Sequence, residues 1–422
     1  MAWKDHLYRA GADECEFDEP PAEPLEHRRV IEPWLSAVFQ SEHLSLLAGS
    51  GLTAAMTAAV GAEAPCMEKV SFASELEPQV NAWAEKTARE IGRGEPNIED
   101  QIRVALQLVA GLEIIEDERA APLRTAVNDV LTAFVKSVLS AERAIDKALS
   151  AEEENGLAAR SLLISFLLSF ASRSASRERL HIFTTNYDRL IEYACDLIGL
   201  HPIDRFVGAL APVFRASRLE VDMHYNPPGI RGEPRYLEGV VRLSKLHGSL
   251  DWSYEGGSLR RVALPFAAPD NHPALPKNLL DSLMVYPNSA KDMETAEFPY
   301  AELFRDFSAA LCRPNSALVT FGYGFGDEHI NRVISDMLTI PSTHLVVISF
   351  GGCSGRIENF LGRASRSSQV SLLIGPHFGG LTTLVNHYLP KPAIDTISVK
   401  KTELLRRREP SPPTLPAEQE SE

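Results

Sequence analysis

Four short segments carry the side chains best suited to chemistry. Gly49-Ser50-Gly51-Leu52-Thr53 follows an apolar run and opens a helix, where glycines let the backbone approach a phosphate and helix N–H groups meet its charge. The same spacing also makes a plain tight turn between strand and helix. Thr184-Thr185-Asn186-Tyr187-Asp188 closes a predicted strand, and its Asn and Asp suit either a ligand or a cap for the next helix. Leu246-His247-Gly248-Ser249 closes another, placing there an imidazole, a side-chain type suited to general acid–base work. A solitary His is more often structural. Gly322-Tyr323-Gly324-Phe325-Gly326-Asp327 is a Gly-rich turn that leads through Asp327, read as an N-cap, into a helix.

Bringing four strand ends together calls for one parallel sheet. Short apolar runs at 44–48, 180–184, 240–246, 317–321, 345–350 and 370–374 alternate with helical stretches. That alternation predicts an α/β fold, a Rossmann-like parallel sheet with helices on both faces. A stretch rich in Ala, Leu, Glu and Arg over 71–175 predicts an inserted helical subdomain. The expected organisation is an N-terminal arm and helix (1–40), a Rossmann-like domain (41–70 and 176–390), the insert (71–175) and a partly disordered tail (391–422). The first 27 residues read as irregular because they are acidic and include Glu19-Pro20-Pro21-Ala22-Glu23-Pro24.

Composition narrows the class. Of 422 residues, 42 are Lys or Arg and 57 Asp or Glu, a net charge of −15, so direct nucleic-acid binding or coating of an anionic membrane is not expected. Leu162–Ala171, the longest strongly apolar run, is far below the roughly 20 residues a membrane helix needs. With no secretory pattern at the start, a cytoplasmic location is expected. Cys15, Cys66, Cys195, Cys312 and Cys353 form no Cys-x-x-Cys pair, so no zinc is expected. His224, His329 and His377 show no metal-ligand spacing and read as surface or capping residues, while Asp251 and Trp252 read as structural.

Taken in order, the four segments resemble the sirtuin superfamily: Gly49–Thr53 its nucleotide loop, Thr185-Asn186-Tyr187-Asp188 its Gln-Asn-Ile-Asp motif, His247-Gly248 its catalytic His-Gly, and Gly322-Tyr323-Gly324 its ribose-binding Gly-Thr-Ser turn. The likeness is nearer to the bacterial sirtuin-like subfamily of anti-phage defence, with its Thr-Thr-Asn-Tyr-Asp, Leu-His-Gly-Ser and Gly-Tyr-x-x-x-Asp-x-x-Ile-Asn patterns. The resemblance implies NAD as substrate, bound by Gly49, Ser50, Gly51, Thr53, Thr185, Asp188, Gly322, Tyr323 and Gly324, with Asn186 and His247 catalytic. It also implies a gate on activity, through homo-oligomers or a HerA-like hexameric ATPase partner. The two Cys pairs that hold zinc in deacylating sirtuins have no counterpart here, nor does their Gly-Ile-Pro-Asp-Phe-Arg segment, since Ala54-Ala55-Met56 follows the loop. The expectation is therefore an NAD+ hydrolase that depletes NAD during phage infection. Alternatives are an ADP-ribosyltransferase or deacylase, and a non-catalytic scaffold that senses NAD or ADP-ribose.

Overall fold

The computed structural model describes residues 3–21, 24–65, 67–90, 94–151, 153–173, 177–218, 221–226, 235–275, 279, 298–363 and 367–391. Its strands are β1 (His6–Ala10), β2 (Asp13–Phe17), β3 (His43–Ala48), β4 (His181–Thr184), β5 (His201–Ile203), β6 (Phe206–Val207), β7 (Val213–Phe214), β8 (His224–Tyr225) and β9 (Arg235–Tyr236). They continue with β10 (Val240–Lys245), β11 (Trp252–Glu255), β12 (Ser258–Arg261), β13 (Ser316–Phe321), β14 (His344–Ser349) and β15 (Val370–Ile374). The first seven helices are α1 (Pro24–Phe39), α2 (Ser50–Ala59), α3 (Glu77–Glu90), α4 (Ile98–Ile114), α5 (Ala120–Ser150), α6 (Glu154–Ala171) and α7 (Leu190–Ile198).

Nine strands form one sheet in the order β2-β1-β15-β14-β13-β3-β4-β10-β5, parallel from β15 to β5. Leaving out the edges, β10-β4-β3-β13-β14-β15 is the 3-2-1-4-5-6 order of a Rossmann sheet, and its switch point falls between β3 and β13. Of these, β3, β13, β14 and β15 are largely apolar because both faces are covered, whereas β10 carries Arg242, Ser244 and Lys245. Ile31, Met56, Phe166, Phe170 and Ile191 from α1, α2, α6 and α7 fill one face. Phe307, Ile334 and Ile357, from helices Tyr300–Leu311, Glu328–Met337 and Arg356–Arg363, fill the other.

At the switch point the turn after β3 crosses the turn after β13 with almost no separation. The Gly49 N–H donates to the Phe321 carbonyl at 2.9 Å and the Gly51 N–H to the Gly322 carbonyl at 3.0 Å. A Cβ on Gly51 would stand 2.5 Å from the Gly322 Cα, and one on Gly49 2.4 Å from the Gly322 oxygen. Gly322 also has φ +62°, a left-handed conformation natural to glycine.

Two expectations need correction. Residues 6–17 are not an irregular arm: β1 and β2 form a hairpin, and β1 adds antiparallel to β15, placing Leu7 and Tyr8 in the core. The insertion also ends earlier than 175. Phe166 and Phe170 place α6 in the sheet's own helical layer, where it serves as the crossover into β4, together with Ile145 and Leu149 from the end of α5. A separate core, with Val80, Ile102, Leu123 and Val127, holds α3, α4 and the first part of α5 together. The expected tail lies outside the described residues apart from Lys391, as does Cys66.

One buried ion pair fastens the insert to the strand ends. Glu142 on α5, 1% exposed, accepts from the Arg189 backbone N–H at 2.9 Å and from its guanidinium at 3.2 and 2.5 Å. Burial pushes the Glu142 carboxyl up against the pull of Arg189, so the pair holds only while both members remain. Glu142→Gln strips Arg189 of its counter-charge and is expected to cost about 3–5 kcal/mol in urea denaturation, whereas a substitution at the exposed Glu113 is expected to cost under about 0.5 kcal/mol.

Candidate functional site

The carboxyl ends of β3, β4, β10 and β13 open into one cavity of about 500 Å³. Gly49, Ser50, Thr53, Thr185, Asn186, Asp188, His247, Tyr323 and Gly324 line it, joined by Asn97, Glu99 and Phe134 from the inserted helices. Gly51 and Gly322 do not line it; they form the backbone crossing already described.

A closed set of hydrogen bonds orders its floor. The Thr53 hydroxyl donates to Asp188 Oδ2 at 2.6 Å and accepts from Asn186 Nδ2 at 3.0 Å. Asn186 Nδ2 donates in addition to the Gly49 carbonyl at 3.0 Å, tying β4's end to the glycine turn. Asp188 Oδ1 accepts from the Leu190 N–H at 3.0 Å, so this carboxylate caps α7 while it orients Thr53. Beneath it, Lys245 Nζ donates to the Asp188 carbonyl and pairs with Glu192 at 3.2 Å. With both amide hydrogens committed, Asn186 is left with its Oδ1, buried and without a hydrogen-bond partner among the described residues. Such an acceptor is costly unless a ligand or water meets it.

The insert supplies a wall. Tyr187 donates from its hydroxyl to Glu99 Oε1 at 3.1 Å and sets its ring edge-on to Phe134 at 5.7 Å. Burial, reinforced by Glu99, holds that phenol well above its ordinary pKa, so it stays a donor. Glu99 sits in the first turn of α4, whose Asn97 cap and Asp100 exchange bonds of 3.0 and 3.1 Å.

His247 belongs to a group that spacing did not show. One ligand atom each from His247, Asp327 and His329 lie within 4.8 Å of one another, and the two imidazole rings are 5.6 Å apart. Asp327 stands at the N-cap of helix Glu328–Met337 but its side chain makes no capping bond, and His329 is 8% exposed rather than a surface residue. Two imidazoles and a carboxylate are donors a zinc-like ion accepts, and equally a set in which Asp327 orients imidazole protons. The cavity also holds Arg356, missed in the sequence because nothing near it marks a motif; its guanidinium passes 3.4 Å from where a Gly324 Cβ would be. Tyr323 is mainly a prop, 2% exposed, its hydroxyl donating to Asn331 Oδ1 at 3.0 Å. Asp251 and Trp252 are buried, and His377 bonds the Tyr388 hydroxyl at 2.7 Å.

Residues 180–359 match the family model described as the SIR2-like domain. That stretch contains Thr185, Asn186, Asp188, His247 and Gly322–Gly324, while the glycine turn at 49–53 lies outside it and reaches the same cavity through the fold. The sheet order agrees with a Rossmann-like SIR2 fold, and SIR2-like domains use NAD. A search of curated proteins finds no match. Among the described residues, no helix is long and apolar enough to cross a membrane.

Two outcomes follow from this geometry. Thr53→Val removes a hydroxyl that serves two buried partners and is expected to cost about 1–3 kcal/mol in thermal or urea unfolding, with Thr53→Ser restoring most of it. The chain as purified is expected to carry no stoichiometric zinc by elemental analysis and to keep its melting temperature after dialysis against EDTA; co-purifying zinc whose removal lowers that temperature would make the trio a metal centre.

Proposed function

We propose that the chain hydrolyses NAD+ to nicotinamide and ADP-ribose. The observation that supports this reading best is the unpartnered Asn186 Oδ1, 7% exposed as a residue, in a cavity that also holds His247 and the glycine turn. Its size, about 500 Å³, lies in the range of small-molecule and cofactor sites.

In this reading the pyrophosphate lies along Ser50 and the start of α2, with Arg356 as the cationic partner that a helix N-terminus alone does not supply. Breaking the glycosidic bond builds positive charge on the nicotinamide ribose, so its neighbours must orient the sugar and admit a nucleophile. Asn186 Oδ1 accepts from a ribose hydroxyl or from the attacking water without adding charge of its own. Water then forms a bond to the anomeric carbon, the bond to nicotinamide breaks with its electron pair leaving on the ring nitrogen, and the water's proton passes to His247. Asp188, committed to Thr53 and Leu190, holds the floor in shape and presents its remaining lone pairs to the carboxamide.

Use of water rather than an acyl-lysine acceptor accords with the sequence, which lacks the paired cysteines of deacylating sirtuins. An effector role in anti-phage defence by NAD depletion, gated by homo-oligomers or a HerA-like ATPase, belongs to the same reading. Exposed Ile114 and Ile115 at the end of α4 are the kind of surface such assembly would cover.

The test is release of nicotinamide and ADP-ribose from NAD by the full chain, alone and with a HerA-type ATPase. His247→Ala and Asn186→Ala are each expected to lower turnover on the order of 10²-fold or more. Label from NAD appearing on protein, or tight binding without turnover in every condition, would replace hydrolysis with transfer or with sensing.

A further inference from the structure

The inserted block brings a buried carboxylate of its own to the cavity. Glu99 lies in the first turn of α4, is 7% exposed and lines the cavity together with Asn186, Tyr187 and His247. The helix that carries it belongs to the core of the insert, and Tyr187, at the end of β4, packs into that same core. Through the bond of the Tyr187 hydroxyl to Glu99 Oε1, at 3.1 Å, a side chain of the insert is fixed against a strand end of the sheet.

Glu99 stands on the side of the cavity where the glycosidic bond would break. Tyr187 directly follows Asn186, and its ring centre is 6.5 Å from that of His247. Burial, then the charge of Glu99 and, less strongly, that of Asp327 push the Tyr187 phenol up, so both carboxylates lie around this one ring. Asp327 in turn has an oxygen within 4.8 Å of the His247 and His329 imidazoles. Asp188 is differently placed, with its oxygens turned to Thr53 and to the Leu190 N–H.

From this placement we propose that Glu99 is a further catalytic residue, whose carboxylate faces the nicotinamide ribose and stabilises the positive charge that arrives there. The assignment rests on the proposed hydrolase reading. In NAD+ the positive charge resides on the nicotinamide ring. As the electron pair of the glycosidic bond leaves on the ring nitrogen, that charge passes to the anomeric carbon and the ribose ring oxygen. A negative charge fixed beside the ribose therefore favours the transition state over the bound substrate. Glu99 forms no bond and moves no proton; the proton of the attacking water still passes to His247. Because α4 is held by the core of the insert, the site has its full charge only with the insert seated on the strand ends.

Glu99→Gln tests this, since it removes the charge and keeps both the shape and an oxygen for Tyr187. Nicotinamide release from NAD is expected to lose about 10²-fold in kcat. Binding of carba-NAD, whose carbocyclic ribose cannot form the cation, is expected to stay within about threefold of the parent, which also shows that the variant is folded. Tyr187→Phe, which keeps the charge and removes the bond, is expected to cost under about tenfold, and Glu113→Gln, at the exposed far end of α4, nothing measurable. Parental turnover in Glu99→Gln, a loss that lies in KM alone, or an equal loss in Tyr187→Phe would overturn the proposal and leave the hydrolase reading standing. A parent chain that releases no nicotinamide in any condition would overturn both.

Discussion

Two backbones meet at the centre of the sheet at a distance that leaves no room for a side chain. The turns after β3 and β13 are joined by Gly49 and Gly51 donating to Phe321 and Gly322, and a Cβ on any of the three glycines would collide with the opposite main chain. Everything above this crossing is referenced to it. Asn186 donates to the Gly49 carbonyl, Thr53 stands in the first turn of α2, and Asp188 takes its orientation from Thr53. The three glycines thus set the crossing, and the polar side chains that they allow to converge line the cavity together with Gly49.

The converging residues come from distant parts of the chain, which explains what could be read in advance. A strand buried on both faces must be apolar along its length, so β3 and β15 stand out as Leu44-Ser45-Leu46-Leu47-Ala48 and Val370-Ser371-Leu372-Leu373-Ile374. Polar residues directly after such runs mark the cavity, and Asn186 and His247 are found there. The hairpin β1–β2 carries no comparable signal: its partner β15 lies about 360 residues away, and its exposed strand is acidic. Strands β6 to β9 have two residues each, too few for any periodicity.

Side chains brought in by packing alone were equally hidden. Glu99, Arg356 and His329 enter the cavity or its rim because the first turn of α4 reaches Tyr187 just beyond β4, because helix Arg356–Arg363 follows β14, and because the helix after Asp327 brings the His329 ring to 5.6 Å from that of His247. A residue placed before a helix reads as its cap, but the Asp327 side chain makes no capping bond and lies within 4.8 Å of two imidazoles. The boundary of the inserted block was misplaced for a similar reason: α6 is as rich in Leu and Ala as the insert, and only its contacts reveal which core it serves.

The two margins of the nine-stranded sheet also bear on how copies of this chain could meet. On one side the outer strand is β2, with Asp13, Glu14 and Glu16 along it; on the other it is β5, three residues long with Pro202 in the middle, which has no N–H to offer. A second molecule approaching either margin finds carboxylates that repel their own kind or a ladder with a missing rung. Extension of the sheet from chain to chain is thereby opposed at both margins, by charge at one and by a missing donor at the other.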